Sequence, residues 1–143
     1  MSVGIEVVQD VTEDLVKAFG RLLPQLSRSA RPLDGAALRA LVEWQGNRLL
    51  IARIGDEIVG TLTLVTFPIP TGLRAWIEDV VVDEAARGHG VGAALTQAAI
   101  ELARADGART VDLTSRPARE AANRLYEKLG FQLRDSKVYR LDS

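Results

Sequence analysis

Residues 80–95, VVVDEAARGHGVGAAL, run from a β-branched strand through the turn Arg87-Gly88-His89-Gly90-Val91-Gly92 into an alanine-rich helix. The glycines at 88, 90 and 92 remove every Cβ that would hold a ligand off the backbone. The N–H groups that open the next helix have no intrahelical acceptors, so an anion such as a phosphate can fill that vacancy. A strand that feeds a helix across such a turn sets the α/β class, and the rest of the chain is placed around it.

Upstream, residues 5–8 alternate weakly as a first strand. Asp10, three residues before Glu13, predicts a capping box for a helix with Leu15, Phe19, Leu22, Leu23 and Leu26 on one apolar face. Residues 27–32 read as a loop, and Asp34 caps a second helix that buries Leu38, Leu41 and Val42 and ends near Gly46. From Arg48 the pattern changes to strands: residues 49–54, the turn Gly55-Asp56-Glu57, then residues 58–67 as the second arm of a hairpin. Residues 68–72 break the chain, and residues 73–82 form the strand that enters the glycine turn. The helix over residues 92–106 presents Leu95, Ala99 and Leu102 and stops at Gly107, a C-cap glycine. A strand over residues 109–114 follows, then a helix from Pro117 to Leu129 with Gly130 after it. Residues 131–133 and 138–141 predict a closing hairpin. The order implies a mixed α+β sheet with about six to seven strands and about four helices, whose one certain parallel unit surrounds the glycine turn.

The composition limits the function classes. At 143 residues, 47% hydrophobic and 26% charged, the chain fits one domain over residues 1–143, able to bury roughly two-thirds of its unfolded surface. Eighteen Lys and Arg against 19 Asp and Glu leave a net charge of −1 with no basic run, so nucleic acid is not an expected partner. With no Cys and one His, neither a thiolate nucleophile nor a histidine or cysteine metal cluster is available, and no metal is expected. No stretch approaches the roughly 20 apolar residues that span a bilayer, and the first residues lack a signal-peptide pattern. No membrane partner and a cytoplasmic location are the expectations.

Two familiar phosphate motifs fail at the turn. A P-loop needs Gly-Lys-Ser/Thr, which is absent, so nothing supplies the phosphate lysine or the magnesium hydroxyl. Gly88, Gly90 and Ala93 satisfy the dinucleotide pattern G-x-G-x-x-G/A, and Asp112 lies near its acidic position, but the glycines trail the strand by five residues and no second mononucleotide half exists. On the residues alone, the turn either cradles some other phosphate or merely allows a tight strand-to-helix geometry.

The stretch from Val82 to Gly92 resembles the acetyl-CoA signature Q/R-x-x-G-x-G/A of the GNAT superfamily of N-acetyltransferases, with Arg87, Gly90 and Gly92 at its defining positions. A second match follows downstream, where Ala122-Asn123-Arg124-Leu125-Tyr126-Glu127-Lys128-Leu129-Gly130-Phe131 looks like the family's N-x-x-x-Y-x-x-x-G-F helix. The resemblance covers residues 75–139; the hairpin at 48–67 agrees in order, and the first 45 residues match only in being helical. It implies the GNAT fold, with a splayed-strand acetyl-CoA cleft between residues 73–82 and 109–114. Backbone groups of Val80, Val81 and Val82 would bond the pantetheine arm like a missing strand. N–H groups of Arg87, Gly88, His89 and Gly90, continued by Val91, Gly92 and Ala93, would bind the pyrophosphate. A backbone N–H near Val82 would polarise the thioester carbonyl.

The resemblance also assigns roles to side chains. Tyr126 stands at the family's tyrosine position and would protonate the departing CoA thiolate; outside the motif it reads as ordinary helix packing beside Leu125 and Leu129. Asn123 would bond the cofactor arm or lie on a solvated helix face. Glu78 and Asp79 are adjacent acids in an apolar strand, and strict alternation sends them to opposite faces. Glu78 is the candidate that takes a proton from the acceptor amine or anchors its ammonium. Some protein amino-terminal acetyltransferases place a glutamate near position 114, where this chain has Thr114. His89 occupies a variable motif position with no nucleophile partner, and no G-x-S-x-G is present for a Ser-His-Asp enzyme. The expected activity is acetyl transfer from acetyl-CoA, a co-substrate, to a primary amine by direct attack; a noncatalytic acyl-CoA sensor is the alternative. Exposed sheet edges make a homodimer through the closing strands a further expectation.

Overall fold

The apolar strands expected in mid-chain have both faces to bury, and they do so between two layers of helices. The computed structural model describes residues 2–143. Five strands, β1 (Val3–Val7), β2 (Asn47–Ile54), β3 (Glu57–Ile69), β4 (Gly72–Val82) and β5 (Thr110–Asp112), form one sheet in chain order. The pairs β1–β2, β2–β3 and β3–β4 are antiparallel, and β4–β5 is parallel across the glycine turn. The helices are α1 (Glu13–Leu26), α2 (Gly35–Glu43), α3 (Val91–Ala105) and α4 (Glu120–Lys128), with a short 3-10 turn at Glu84–Ala86.

Alternation along β2 divides the core. Leu50 and Ala52 join Leu62, Leu64, Ala75 and Ile77 beneath α3, whose Val91, Leu95, Ala99 and Ala103 complete that layer. Leu49 and Ile51 point the other way, to Leu15, Phe19 and Leu22 of α1 and Leu38 of α2. Strands covered on both faces read as nearly unbroken apolar runs. No helix among the described residues is long and apolar enough to cross a membrane.

Several expectations are corrected. The cap of α1 is Thr12, whose hydroxyl accepts from the Leu15 N–H at 3.2 Å, and not Asp10. Val11 and Val16, at the positions flanking that cap, both pack on the α1 core, so a hydrophobic staple sets the start two residues later than the acidic spacing suggested. Asp34 caps α2 as expected, accepting from Ala37 N–H at 2.8 Å. The break at residues 68–72 shrinks to a turn at Pro70-Thr71, because Pro68 and Ile69 still pair with Leu73 and Gly72. The closing hairpin does not form, and the sheet has five strands where six to seven were expected. β5 offers only three residues to a further strand, and the tail places Leu133 (99% exposed) and Leu141 (96%) in solvent.

The position of α3 depends on a close approach. A methyl group at Gly60 of β3 would lie 2.9 Å from Val91 Cγ1, 3.2 Å from Leu95 Cδ1 and 3.2 Å from the Val81 carbonyl oxygen. Only a residue without a Cβ lets the first turn of α3 sit this near the sheet. Gly60→Ala is therefore expected to destabilise the fold by about 1–3 kcal/mol through overpacking. Urea unfolding followed by circular dichroism measures it, and an unchanged midpoint would mean that α3 lifts from the sheet without cost.

Candidate active site

β4 carries an irregularity that alternation cannot reveal. Thr63 pairs with Glu78 while Thr61 pairs with Val81, so two steps on β3 match three on β4. The extra residue makes a β-bulge. Asp79 takes φ 49°, the one positive φ at a non-glycine among the described residues, and aspartate tolerates that left-handed region better than most side chains. The bulge shifts the side-chain parity. Ala75 and Ile77 face the α3 layer before it, Val80 and Val82 pack on that layer after it, and Val81 turns to the α1 layer. Glu78 and Asp79 are both exposed, so neither acid lies in a packed layer.

At the same place β4 loses its outer partner. Arg74, Ala75 and Trp76 pair with Thr110, Val111 and Asp112, and among the described residues no strand continues along that edge from Ile77 to Val82. Pairing between residues 73–82 and 109–114 therefore covers only Arg74–Trp76 and Thr110–Asp112.

β4 ends in a tightly bonded turn. Asp83 caps the 3-10 turn by accepting from Ala85 N–H, and its other oxygen accepts from Arg21 Nε at 3.0 Å. Beyond Arg87 the bonding stops. Gly88 (φ 86°) and Gly90 (φ 76°) take left-handed conformations, and a methyl at either would meet nothing within 4 Å. Gly90 is the N-cap of α3 with no side-chain cap bond, and the first turn holds no acidic residue. The six N–H groups from Gly88 to Ala93 donate to no acceptor among the described residues; the first helical bond of this end is Ala94 N–H to Gly90. Gly88, His89 and Gly90 are exposed. Open space over unpaired donors at a helix start fits a phosphate-bearing ligand.

Gly92 has a different part from its neighbours: a methyl there would touch Leu125 Cδ2 at 3.7 Å and Val82 Cγ2 at 3.8 Å. Leu125 of α4 thus lies close to the start of α3. Tyr126, the next residue of α4, is half-buried and meets Phe131 edge to face, with ring centroids 5.9 Å apart. Burial pushes the Tyr126 phenol above its usual range, against the lowering field of Arg119, so it stays protonated at neutral pH. Its hydroxyl makes no hydrogen bond among the described residues. Asn123 donates its amide to the Arg116 carbonyl at 3.1 Å, holding the loop before α4 and leaving Oδ1 free. Glu78 is raised above the usual carboxylate range, first by desolvation and then by Asp79, with Arg140 opposing. No hydrogen bond or ion pair joins Glu78 to Tyr126 among the described residues. A surface groove of about 490 Å³ lined by Val11, Val16, Lys17 and Arg39 shares no residue with these elements.

The sequence profile of the Acetyltransferase (GNAT) family matches residues 9–131, a span that contains the bulged strand, the glycine turn and Tyr126. The chain belongs to that family. GNAT enzymes use acetyl-CoA as co-substrate, and this protein is an N-acetyltransferase. It is 36% identical over 121 residues to glucosamine 6-phosphate N-acetyltransferase of Trypanosoma brucei brucei, covering 79% of this chain and 80% of the relative. A solved acetyltransferase from Trypanosoma brucei superposes with TM-score 0.81 at 31% identity, over 99% of this GNAT chain and 100% of the other. A protein described as a transcriptional regulator from Bacillus halodurans C-125 gives TM-score 0.83 at 32% identity, again over 99% and 100%.

Arg21 and Gln25 of α1, which reach the turn through Asp83 and Glu84, were invisible to the sequence reading. Their only signal was an i, i+4 polar pair on the polar face of an amphipathic helix. Burial alone would raise the Asp83 carboxyl, but the Ala85 N–H, Arg21 and Gln25 together hold it below the usual range. A lowered native value means that this group stabilises the fold fully above its unfolded value of about 3.9 and loses that contribution as pH falls through the native one. Asp83→Asn is expected to lower stability at pH 7 and to lose its deficit relative to wild type as the pH drops below about 4. Urea midpoints between pH 2 and 7 measure this, and a pH-independent deficit would exclude ionisation as the cause.

Proposed function

We propose that this single-domain protein moves the acetyl group of acetyl-CoA to a primary amine by direct attack, without a covalent enzyme intermediate. The observation that carries this reading is the run of six acceptor-free N–H groups from Gly88 to Ala93, set beside a strand edge that has no partner. Those donors, with the Arg87 segment that leads into them, suit a pyrophosphate. The open edge at Val80, Val81 and Val82 suits an extended arm that bonds as a strand would, and Asn123 Oδ1 offers it a further acceptor.

Acetyl-CoA, when bound, supplies an activated thioester. The residues supply orientation and proton movement. A backbone N–H near Val82 is the donor available to polarise the carbonyl. Glu78, with its raised proton affinity, accepts the proton that the acceptor ammonium must lose before its nitrogen can attack, or anchors that ammonium. Tyr126 gives its proton to the sulfur as the C–S bond breaks. Its unshared hydroxyl supports that role, and a phenol protonated at neutral pH has a proton to give.

The acceptor is tested with a panel of amines that includes glucosamine 6-phosphate, the compound named for the trypanosomal relative. Free-thiol release shows turnover and calorimetry shows acetyl-CoA binding; binding with no release for any amine would favour a sensor, and no binding would remove the reading. Tyr126→Phe is expected to cut kcat by about 100-fold or more and to leave the acetyl-CoA dissociation constant within about twofold. Unchanged turnover would take Tyr126 out of the mechanism.

A further inference from the structure

The backbone around the turn divides sharply. From Asp83 to Arg87 every N–H is bonded: Asp83 to the Val59 carbonyl (2.8 Å), Glu84 to Gln25 Oε1 (3.0 Å) and Ala85 to Asp83 Oδ1 (3.2 Å). Ala86 bonds the Asp83 carbonyl (2.8 Å) and Arg87 the Glu84 carbonyl (3.3 Å). From Gly88 to Ala93 none is. The last fixed segment before the open donors is therefore held by side chains of α1, about sixty residues upstream, as well as by its own sheet.

The grip is a closed network. Gln25 Nε2 donates to Asp83 Oδ1 (3.4 Å) and to the Arg21 carbonyl (3.2 Å), while its Oε1 accepts from Glu84. Arg21 Nε donates to Asp83 Oδ2 (3.0 Å), and Arg21 Nη2 to the Ile58 carbonyl of β3. Asp83 is only 8% exposed, so this carboxylate is a pivot between helix, sheet and turn. Gly88 and Gly90 impose no conformation of their own, having the least restricted backbones in the chain. The direction in which their N–H groups project is set where the rigid part ends.

We propose that Gln25 and Arg21 are positioning residues that, through Asp83 and Glu84, hold the base of the glycine turn so that the N–H groups of Gly88, His89 and Gly90 converge with those of the first turn of α3 on the pyrophosphate. This rests on the acetyl-CoA reading above. Neither side chain touches the ligand in this account; they lower the ordering cost of the turn before it binds. A cap that served folding alone would lower stability and weaken all ligands alike or none. A positioning role weakens only ligands that carry the pyrophosphate.

The test compares acetyl-CoA with S-acetylpantetheine, which keeps the arm and thioester but lacks the pyrophosphate and the phosphorylated adenosine it carries. Dissociation constants are measured by titration followed through amide NMR. Gln25→Ala preserves a good helix residue and should fold; it is expected to weaken acetyl-CoA roughly tenfold and S-acetylpantetheine less than about twofold. Arg21→Met, which keeps the aliphatic stem, is expected to act in the same direction. Equal losses for both ligands, or none for acetyl-CoA in either variant, would overturn the positioning role while leaving the acetyl-CoA site intact. A wild-type protein that binds acetyl-CoA no better than S-acetylpantetheine would instead remove the pyrophosphate site itself, and the positioning role with it.

Discussion

Backbone N–H and C=O groups bond one another or water, and the architecture turns on a place where a strand edge and a helix start are left without protein partners. β4 has partners on both edges only as far as Trp76, where the three-residue pairing with β5 ends. Past that point one edge stays open, and a few residues later six N–H groups at the start of α3 are also left free. The remaining elements act as supports for this gap. β1, β2 and β3 make the antiparallel wall on one side, and Gly60 lets α3 approach closely enough to bring the free donors against the end of β4.

The bulge at Asp79 connects the gap to chemistry. One extra residue in β4 keeps Val80 and Val82 on the α3 layer, as Ala75 and Ile77 were, and leaves Glu78 and Asp79 in solvent between the two registers. A continuous strand would have buried one of these acids in a packed apolar layer, where a carboxylate is costly. On the far side of the gap, Leu125 of α4 lies close to Gly92, and α4 carries the half-buried phenol of Tyr126. The acidic strand, the open donors and the phenol thus come from three separate stretches of chain, joined by apolar contacts more than by polar ones.

Much of this was legible along the chain because the signals are local. The hairpin over β2 and β3, the Asp34 cap, the strand that enters the glycine turn and the start of α3 follow from period, turn residues and capping, each of which acts over a few positions. Both GNAT motifs lie inside single strand-turn or helix segments, so their residues could be assigned one by one. Errors arose where a local rule competed with packing. Thr12 displaced Asp10 as the α1 cap because Val11 and Val16 had a core to enter, and the last two short apolar runs remained irregular because β5 offered too short an edge.

By itself, then, the sequence determined the α/β class, the family and the place of the donor turn, since glycine at a left-handed position and a helix beginning without a side-chain cap are properties of adjacent residues. Tertiary structure alone decided the bulge beside which Glu78 and Asp79 are both exposed, the approach of Leu125 to Gly92, and the reach of Arg21 and Gln25 to Asp83. Register on a neighbouring strand and bonds between residues some sixty positions apart leave no periodic trace, because each depends on which surfaces meet once the two core layers have closed.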